Sequence, residues 1–252
     1  MKLLIDIGNT HVHVGVADGQ RIARCREFST GKLTIAELIA GLKSAGEGRP
    51  KGAVLCSVVP EQTPSIQVAL KQAFGFFATE LTHESLKGVG VNYPRPDTIG
   101  PDRLANAIAA RRHFGAPSVV VDFGTAVTFD VIDGHGDYAG GIIAPGLAAM
   151  TDYLHEKTAL LPRIEIEETR SVIGKSTREA MLIGAVNGYR GLVRELLRGL
   201  AEELKTPSLP VVATGGYAEL IARGVDAIGV VDPNLTLEGL RLFAEEIESE
   251  TK

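Results

Sequence analysis

The stretch Val119-Val-Val-Asp122-Phe-Gly124-Thr125-Ala-Val-Thr-Phe-Asp-Val-Ile132 reads as a buried strand, a tight glycine turn and a second strand. A counterpart stands at the start of the chain, Leu3-Leu-Ile-Asp6-Ile-Gly8-Asn9-Thr10-His-Val-His-Val-Gly-Val16. In each copy an apolar β run delivers an Asp to the end of a strand, and a Gly two residues later permits a backbone conformation that a side chain would resist. Small polar residues follow, then another β run. Such a turn can present N–H groups and hydroxyls to phosphate oxygens, while the Asp at its root can hold a cation or its water. Either copy alone could be an ordinary hairpin with Asp as a turn former. The matched pair points to two halves serving one nucleotide.

Periodicity extends the duplication outward. The first half reads as strands 2–7, 11–17 and 20–28, helix 34–45, strand 52–57, helix 61–74 and strand 77–81. The second reads as strands 118–123, 126–132 and 137–144, a helical region 146–156, a long helix 177–204, strand 210–213, helix 216–223, strand 226–230 and helix 235–249. The order βββαβαβα occurs twice, with a repeat of about 115 residues measured from Asp6 to Asp122, too long for a solenoid unit. Asp18-Gly19 and Gly134 with Gly136 mark hairpin turns in the two halves. Residues 82–99, rich in Gly, Pro and Asn, suit a functional loop, and helix 101–114 opens at Pro101-Asp102. These boundaries predict lobes at 1–115 and 116–252 around a nucleotide cleft.

The 252 residues are 44% hydrophobic and 23% charged, a globular composition with a net charge of −5. That balance supplies no cationic field for a polyanion, so nucleic acid is not expected as a partner. Cys25 and Cys56 have neither a metal-ligand spacing nor a secretory context and read as reduced thiols. The chain enters directly into a strand, and no window approaches the roughly 20 apolar residues of a membrane span. A cytoplasmic location without membrane association is the expectation.

Several motifs carry or fail to carry chemistry. Gly174-Lys175-Ser176-Thr177 suggests a P-loop, but Thr169 stands where the Walker pattern needs Gly, and no strand precedes it. No Gly-x-Gly-x-x-Gly run follows a strand, so a dinucleotide site has no support. Thr214-Gly215-Gly216 lies between an apolar strand and a helix; it is either a plain βα turn or a close approach for the adenosine end of a nucleotide. Gly100-Pro101-Asp102-Arg103 places an acid and a base at a helix start. Asp102 could merely favour the helix dipole or act as a general base, with Arg103 keeping it ionised and orienting an anionic substrate. His11 and His13 share one strand face, although no third metal ligand is evident. The acidic run from Glu165 to Glu168 reads as a solvated surface. Helix 177–204 opens with the capping box Ser176-Thr-Arg-Glu179 and carries Gly184, Gly188 and Gly191 close together. Something must approach that glycine face, either within the subunit or from a second copy.

With these residues in view, the sequence resembles the type III pantothenate kinases of the actin, hexokinase and acetate kinase superfamily. The resemblance spans essentially the whole chain. It rests on Asp6-Ile-Gly-Asn-Thr10, Gly100-Pro-Asp-Arg103, Asp122-Phe-Gly-Thr125, Gly140-Gly-Ile-Ile-Ala-Pro-Gly146, Gly174-Lys-Ser-Thr177, Thr214-Gly-Gly216 and Pro233-Asn-Leu-Thr-Leu-Glu-Gly239. It implies an α/β, duplicated actin-like (ribonuclease H-like) fold and transfer of the ATP γ-phosphate to pantothenate, the first step of coenzyme A synthesis. It further implies that Asp6, Ile7, Gly8, Asn9, Thr10, His11, Val12, His13 and Thr125 bind ATP. Mg²⁺ is expected near Asp6 through water, and a potassium or ammonium ion at Asp122. Tyr93, Gly100, Pro101, Asp102, Arg103 and Thr177 would meet pantothenate, with Asp102 as proton acceptor, in a homodimer. His13 stands where many members carry Lys. Another small-molecule kinase of the superfamily, or a non-catalytic regulatory relative, is the alternative.

Overall fold

The computed structural model describes residues 1–32, 34–45 and 50–250. Two compact units are present, Met1–His113 with Asn234–Lys252, and Phe114–Pro233. The first contains β1 (Lys2–Ile7), β2 (His11–Asp18), β3 (Arg21–Ser29), α1 (Ile35–Ala45), β4 (Ala53–Ser57), α2 (Thr63–Phe74), the two-residue strands β5 (Thr79–Glu80) and β6 (Gly90–Val91), and α3 (Pro101–Phe114). The second contains β7 (Ser118–Phe123), β8 (Ala126–Ile132), β9 (Asp137–Pro145), α4 (Leu147–Lys157), α5 (Thr177–Glu203), β10 (Val211–Thr214), α6 (Ala218–Ala222) and β11 (Val230–Val231). The last helix, α7 (Leu235–Glu250), belongs to the first unit by its contacts with β1, β2, β3 and β4. It closes the second βββαβαβα series in chain order yet packs on the first sheet, so sequence lobes and compact units differ over residues 234–252.

In the first unit the strands run β3-β2-β1-β4-β5. β1 and β2 form an antiparallel hairpin, whereas β1 with β4 and β4 with β5 are parallel. The twofold alternation of a strand then divides the labour of β1. Leu3, Ile5 and Ile7 face a core completed by Val12, Val14, Leu55, Leu38, Leu42, Ile66 and Leu70. Leu4 and Asp6 face the other way, and α7 reaches that face where Leu237 approaches Gly15, the register partner of Leu4. α3 joins α7 through Gly239, whose missing side chain lets the backbone of Ala105 come close, and through Thr236 Oγ1 donating to Asn106 Oδ1 at 2.9 Å.

The second unit repeats this plan, with neighbouring strands in the order β9-β8-β7-β10-β11. Val119, Val121 and Phe123 of β7 enter a core with Val127, Phe129, Val211, Ala213 and the α5 residues Ala185, Tyr189, Val193 and Leu197. Asp122 therefore lies on the opposite face, as Asp6 does in its own sheet. α5 begins with half of its capping box: Ser176 Oγ accepts from Glu179 N at 3.2 Å, whereas Glu179 Oε2 accepts at 2.6 Å from Lys175 N, one residue before the cap, and not from Ser176 N.

Some expectations need revision. The strand read at 226–230 contracts to Val230–Val231, and the helix read at 216–223 to Ala218–Ala222. The acidic run is not wholly solvated: Glu168 makes a two-pronged pair with nearly buried Arg190 at 2.9 and 2.8 Å, and Glu167 meets Arg178 at 2.9 Å. Close packing within the unit does not account for the α5 glycines either, because a Cβ at Gly184, Gly188 or Gly191 would meet nothing within 4 Å.

Candidate active site

β1 ends by delivering Asp6, and the hairpin turn to β2 is tied down from several sides. Gly8 N donates to His11 O at 2.9 Å. Buried Thr30 donates through its N–H to Thr10 O at 2.9 Å and through Oγ1 to Gly8 O at 2.7 Å. Gly8 does not have the positive φ expected of it; positive φ among the described glycines falls at other positions, Gly215 included. Its requirement is steric, since a Cβ there would lie 3.0 Å from His11 O. Asn9, Thr10 and His11 are exposed, whereas Ile7 and Val12 turn their side chains into the core, at 0% and 3% exposure. Any contribution of Ile7 and Val12 to a ligand must come from their backbone.

Charge gathers around Asp6. His13 is its register partner across the hairpin, and His13 Nδ1 lies 3.3 Å from Asp6 Oδ2. Glu27 on β3 approaches His13 Nε2 at 3.3 Å and His11 Nε2 at 3.4 Å. The hydrogen bond with Asp6 outweighs the cost of burial and, with the negative field of Asp6 and Glu27, raises the His13 pKa above its ordinary value. The pair His11 and His13 is thus engaged with carboxylates.

α3 adds the third acid. Pro101 occupies its first turn, and Asp102 Oδ1 accepts from Arg103 N at 2.8 Å. A Cβ on Gly100 would sit 2.5 Å from that same oxygen, so glycine makes room for the folded-back carboxylate. Burial, then the charge of Asp6, pushes the Asp102 pKa up to about 6, although the Arg103 N–H and guanidinium pull it down. Asp102 can exchange a proton near neutral pH.

The second hairpin is built differently. Asp122 ends β7, and Gly124 N donates to Ala126 O at 3.1 Å. Gly146 N donates to Thr125 O at 3.2 Å, and Gly146 has no room for a side chain beside the carbonyls of Gly124 and Thr125. Thr214, the register partner of Asp122, leads into Gly215 at φ 90°, where a Cβ would lie 2.7 Å from both Asp122 Oδ1 and Phe123 N. Glycine backbone therefore lines the Asp122 turn. Thr125 and Gly216 are exposed.

The predicted residues thus assemble as two groups within their own units: Asp6, the 8–13 turn and Gly100–Arg103 in one, Asp122, Thr125 and Gly215 in the other. Tyr93 is exposed in the 82–99 loop, and Thr177 is exposed in the first turn of α5.

A family model described as type III pantothenate kinase matches residues 2–199. A type III pantothenate kinase of Akkermansia muciniphila is 48% identical over 248 residues, covering 96% of this chain and 97% of that protein. The chain belongs to the type III pantothenate kinase family. Among solved structures, a conserved Baf family protein from Campylobacter jejuni superposes with a TM-score of 0.63 at 19% identity, over 98% of this chain and 99% of that one. The ROK hexokinase of Thermus thermophilus superposes at 0.50 with 16% identity, over 97% and 99%. Likeness at that distance speaks to the fold, which is the duplicated actin-like α/β fold of these kinases and ATPases.

Within this type III pantothenate kinase, Thr30, Glu27 and Cys56 escaped the reading of motifs. Cys56 Sγ donates to Asp6 Oδ1 at 3.4 Å, and Cys56 is the register partner of Asp6 on β4. Sheet order was the missing signal: with β4 parallel to β1, the end of the 52–57 strand must stand beside Asp6.

Proposed function

We propose that this protein transfers the γ-phosphoryl group of ATP to the primary hydroxyl of pantothenate, giving 4′-phosphopantothenate and opening coenzyme A synthesis. The observation that carries the proposal is Asp102, a carboxylate with a pKa of about 6 at the start of α3, set against Asp6. Above that pH it is a base that can take the hydroxyl proton. In a largely dissociative transfer the proton moves late, so Asp102 chiefly orients the nucleophile. Tyr93, Gly100, Pro101, Arg103 and Thr177 are the remaining proposed contacts to pantothenate.

The Asp6 and Asp122 turns are proposed to serve the same nucleotide. With Gly8 N–H committed to His11, donation to phosphate falls to the exposed Asn9, Thr10 and His11, with His13 as a nearby cation. Thr125 supplies the equivalent hydroxyl, and the glycine backbone at Gly215 and Gly216 suits a ribose or base. Among the described residues no group of three or more His, Cys, Asp or Glu is placed to cage a metal. That donor set fits Mg²⁺ held mainly by water and phosphate oxygens near Asp6, where the ion would neutralise phosphate charge. A potassium or ammonium ion at Asp122 is part of the proposal.

A homodimer is proposed on two observations. The glycines of α5 face open space, and Leu160, Val172 and Ile173, in the segment leading to that helix, are exposed. No helix among the described residues is long and apolar enough to cross a membrane, and a cytoplasmic setting is proposed from the reaction itself.

ADP release from MgATP, with and without pantothenate and in potassium or sodium buffer, tests the reading. Pantothenate-dependent release is expected, faster in potassium, with the potassium advantage lost in Asp122→Asn. Folded protein that releases no extra ADP on adding pantothenate would overturn the proposed acceptor.

A further inference from the structure

Cys56 is fully buried at the end of β4. His13, Asp6 and Cys56 are consecutive register partners across β2, β1 and β4. Cross-strand partners share a face, so the three side chains form one row. Their contacts divide the Asp6 carboxylate: Cys56 Sγ donates to Oδ1 at 3.4 Å, while His13 Nδ1 lies 3.3 Å from Oδ2. Rotating the carboxylate would break both.

A buried free cysteine ordinarily behaves as a small apolar residue. Cys56 differs in that its thiol meets a carboxylate oxygen of Asp6 at 3.4 Å rather than apolar neighbours alone. It is a donor built into the row that holds a functional acid. A third acid at this position would add repulsion, and a methyl group would leave one oxygen of Asp6 without its donor.

We propose that Cys56 is a positioning residue for phosphoryl transfer: its thiol hydrogen fixes the Asp6 carboxylate in the orientation that serves the phosphate end of the nucleotide. This role rests on the reading of Asp6 given above.

Cys56→Ala and Cys56→Ser, with Asp6→Asn as reference, separate the possibilities. The measurements are MgADP affinity by titration calorimetry, the KM values for ATP and pantothenate, and the thermal midpoint. Cys56→Ala should weaken MgADP binding and raise the KM for ATP about tenfold, the usual scale for losing a donor to a charged group, with the KM for pantothenate held to within about twofold. Cys56→Ser, whose hydroxyl can donate to the same oxygen, should recover most of the loss. Parental MgADP affinity in Cys56→Ala would overturn the proposal. Equal losses in both variants alongside equal falls in thermal midpoint would also overturn it, in favour of packing. If Asp6→Asn binds MgADP normally, the reading of Asp6 itself fails, and this role fails with it whatever the Cys56 variants do.

Discussion

The two aspartate hairpins share a strand frame and differ in what surrounds the acid. Asp6 has His13, Cys56 and Asp102 about it, so its neighbourhood consists of side chains that carry or donate protons. Asp122 stands between its register partners Thr128 and Thr214, and its turn is closed in by Gly124, Gly146 and Gly215, where glycine backbone comes close. The turns differ to match: three residues, Gly8 to Thr10, separate β1 from β2, whereas only Gly124 and Thr125 separate β7 from β8. The acid keeps its place in both copies, while charged and proton-bearing side chains gather about the first and closely approaching glycine backbone about the second. Subtracting side chains should therefore damage the first hairpin, and adding them should damage the second.

The largest effect belongs to Asp102→Asn. Turnover should fall on the order of a hundredfold or more, the usual worth of a general base, with the folded state intact. In the parent enzyme the rate should decline as pH drops through about 6, and the residual activity of the variant should lack that limb. Near-normal turnover in the variant would remove Asp102 from the reaction.

Next comes the additive test, Gly215→Ala. The new methyl would meet Asp122 Oδ1 and Phe123 N at 2.7 Å while the residue is held at φ 90°. A loss of about 2–3 kcal/mol in denaturant unfolding is expected from strain and overpacking together, with a raised KM for ATP. Gly8→Ala should cost less, about 1 kcal/mol, because its Cβ meets only His11 O at 3.0 Å and its φ is not positive. Equal costs at the two sites would erase the distinction between the turns.

These variants also mark what was legible in the sequence. The β runs around Asp6 and Asp122 were plain because strand periodicity and Gly turns are local signals. Asp102 stood out because a Gly-Pro-Asp-Arg run opens a helix. The short edge strand β11 was misplaced because two residues cannot display a period, and the packing of α7 on the first sheet was not legible because chain order does not reveal which sheet a helix covers. Cys56 was legible only after strand order was known, since its partner lies fifty positions away.

A subtler consequence of Asp102 concerns stability. Its folded pKa of about 6 exceeds the ordinary 3.8, so the folded state binds the proton more tightly than the unfolded chain. Stability from this group is complete below the unfolded pKa and is lost as pH rises through about 6. Asp102→Asn should therefore be more stable than the parent at pH 8, by on the order of 1–2 kcal/mol after allowance for solvent screening. The gap should close as pH falls toward 4. A variant less stable than the parent at pH 8 would show that the ionised carboxylate is held favourably.

The smallest effect tests the cation of the first hairpin. His13 owes its raised pKa to its hydrogen bond with Asp6 first, then to the fields of Asp6 and Glu27. Its positive charge is present below that pKa and disappears as pH rises through it. If the charge helps to hold the phosphates, the KM for ATP should climb between neutral and alkaline pH in the parent, while the KM for pantothenate follows a different course. His13→Lys keeps the charge across that range and should flatten the climb, lowering the alkaline KM for ATP about threefold, as suits one partly exposed charge interaction. Were the climb to persist unchanged in the lysine variant, the phosphates would owe their hold to the turn backbone alone, and the two hairpins would bind nucleotide by the same means after all.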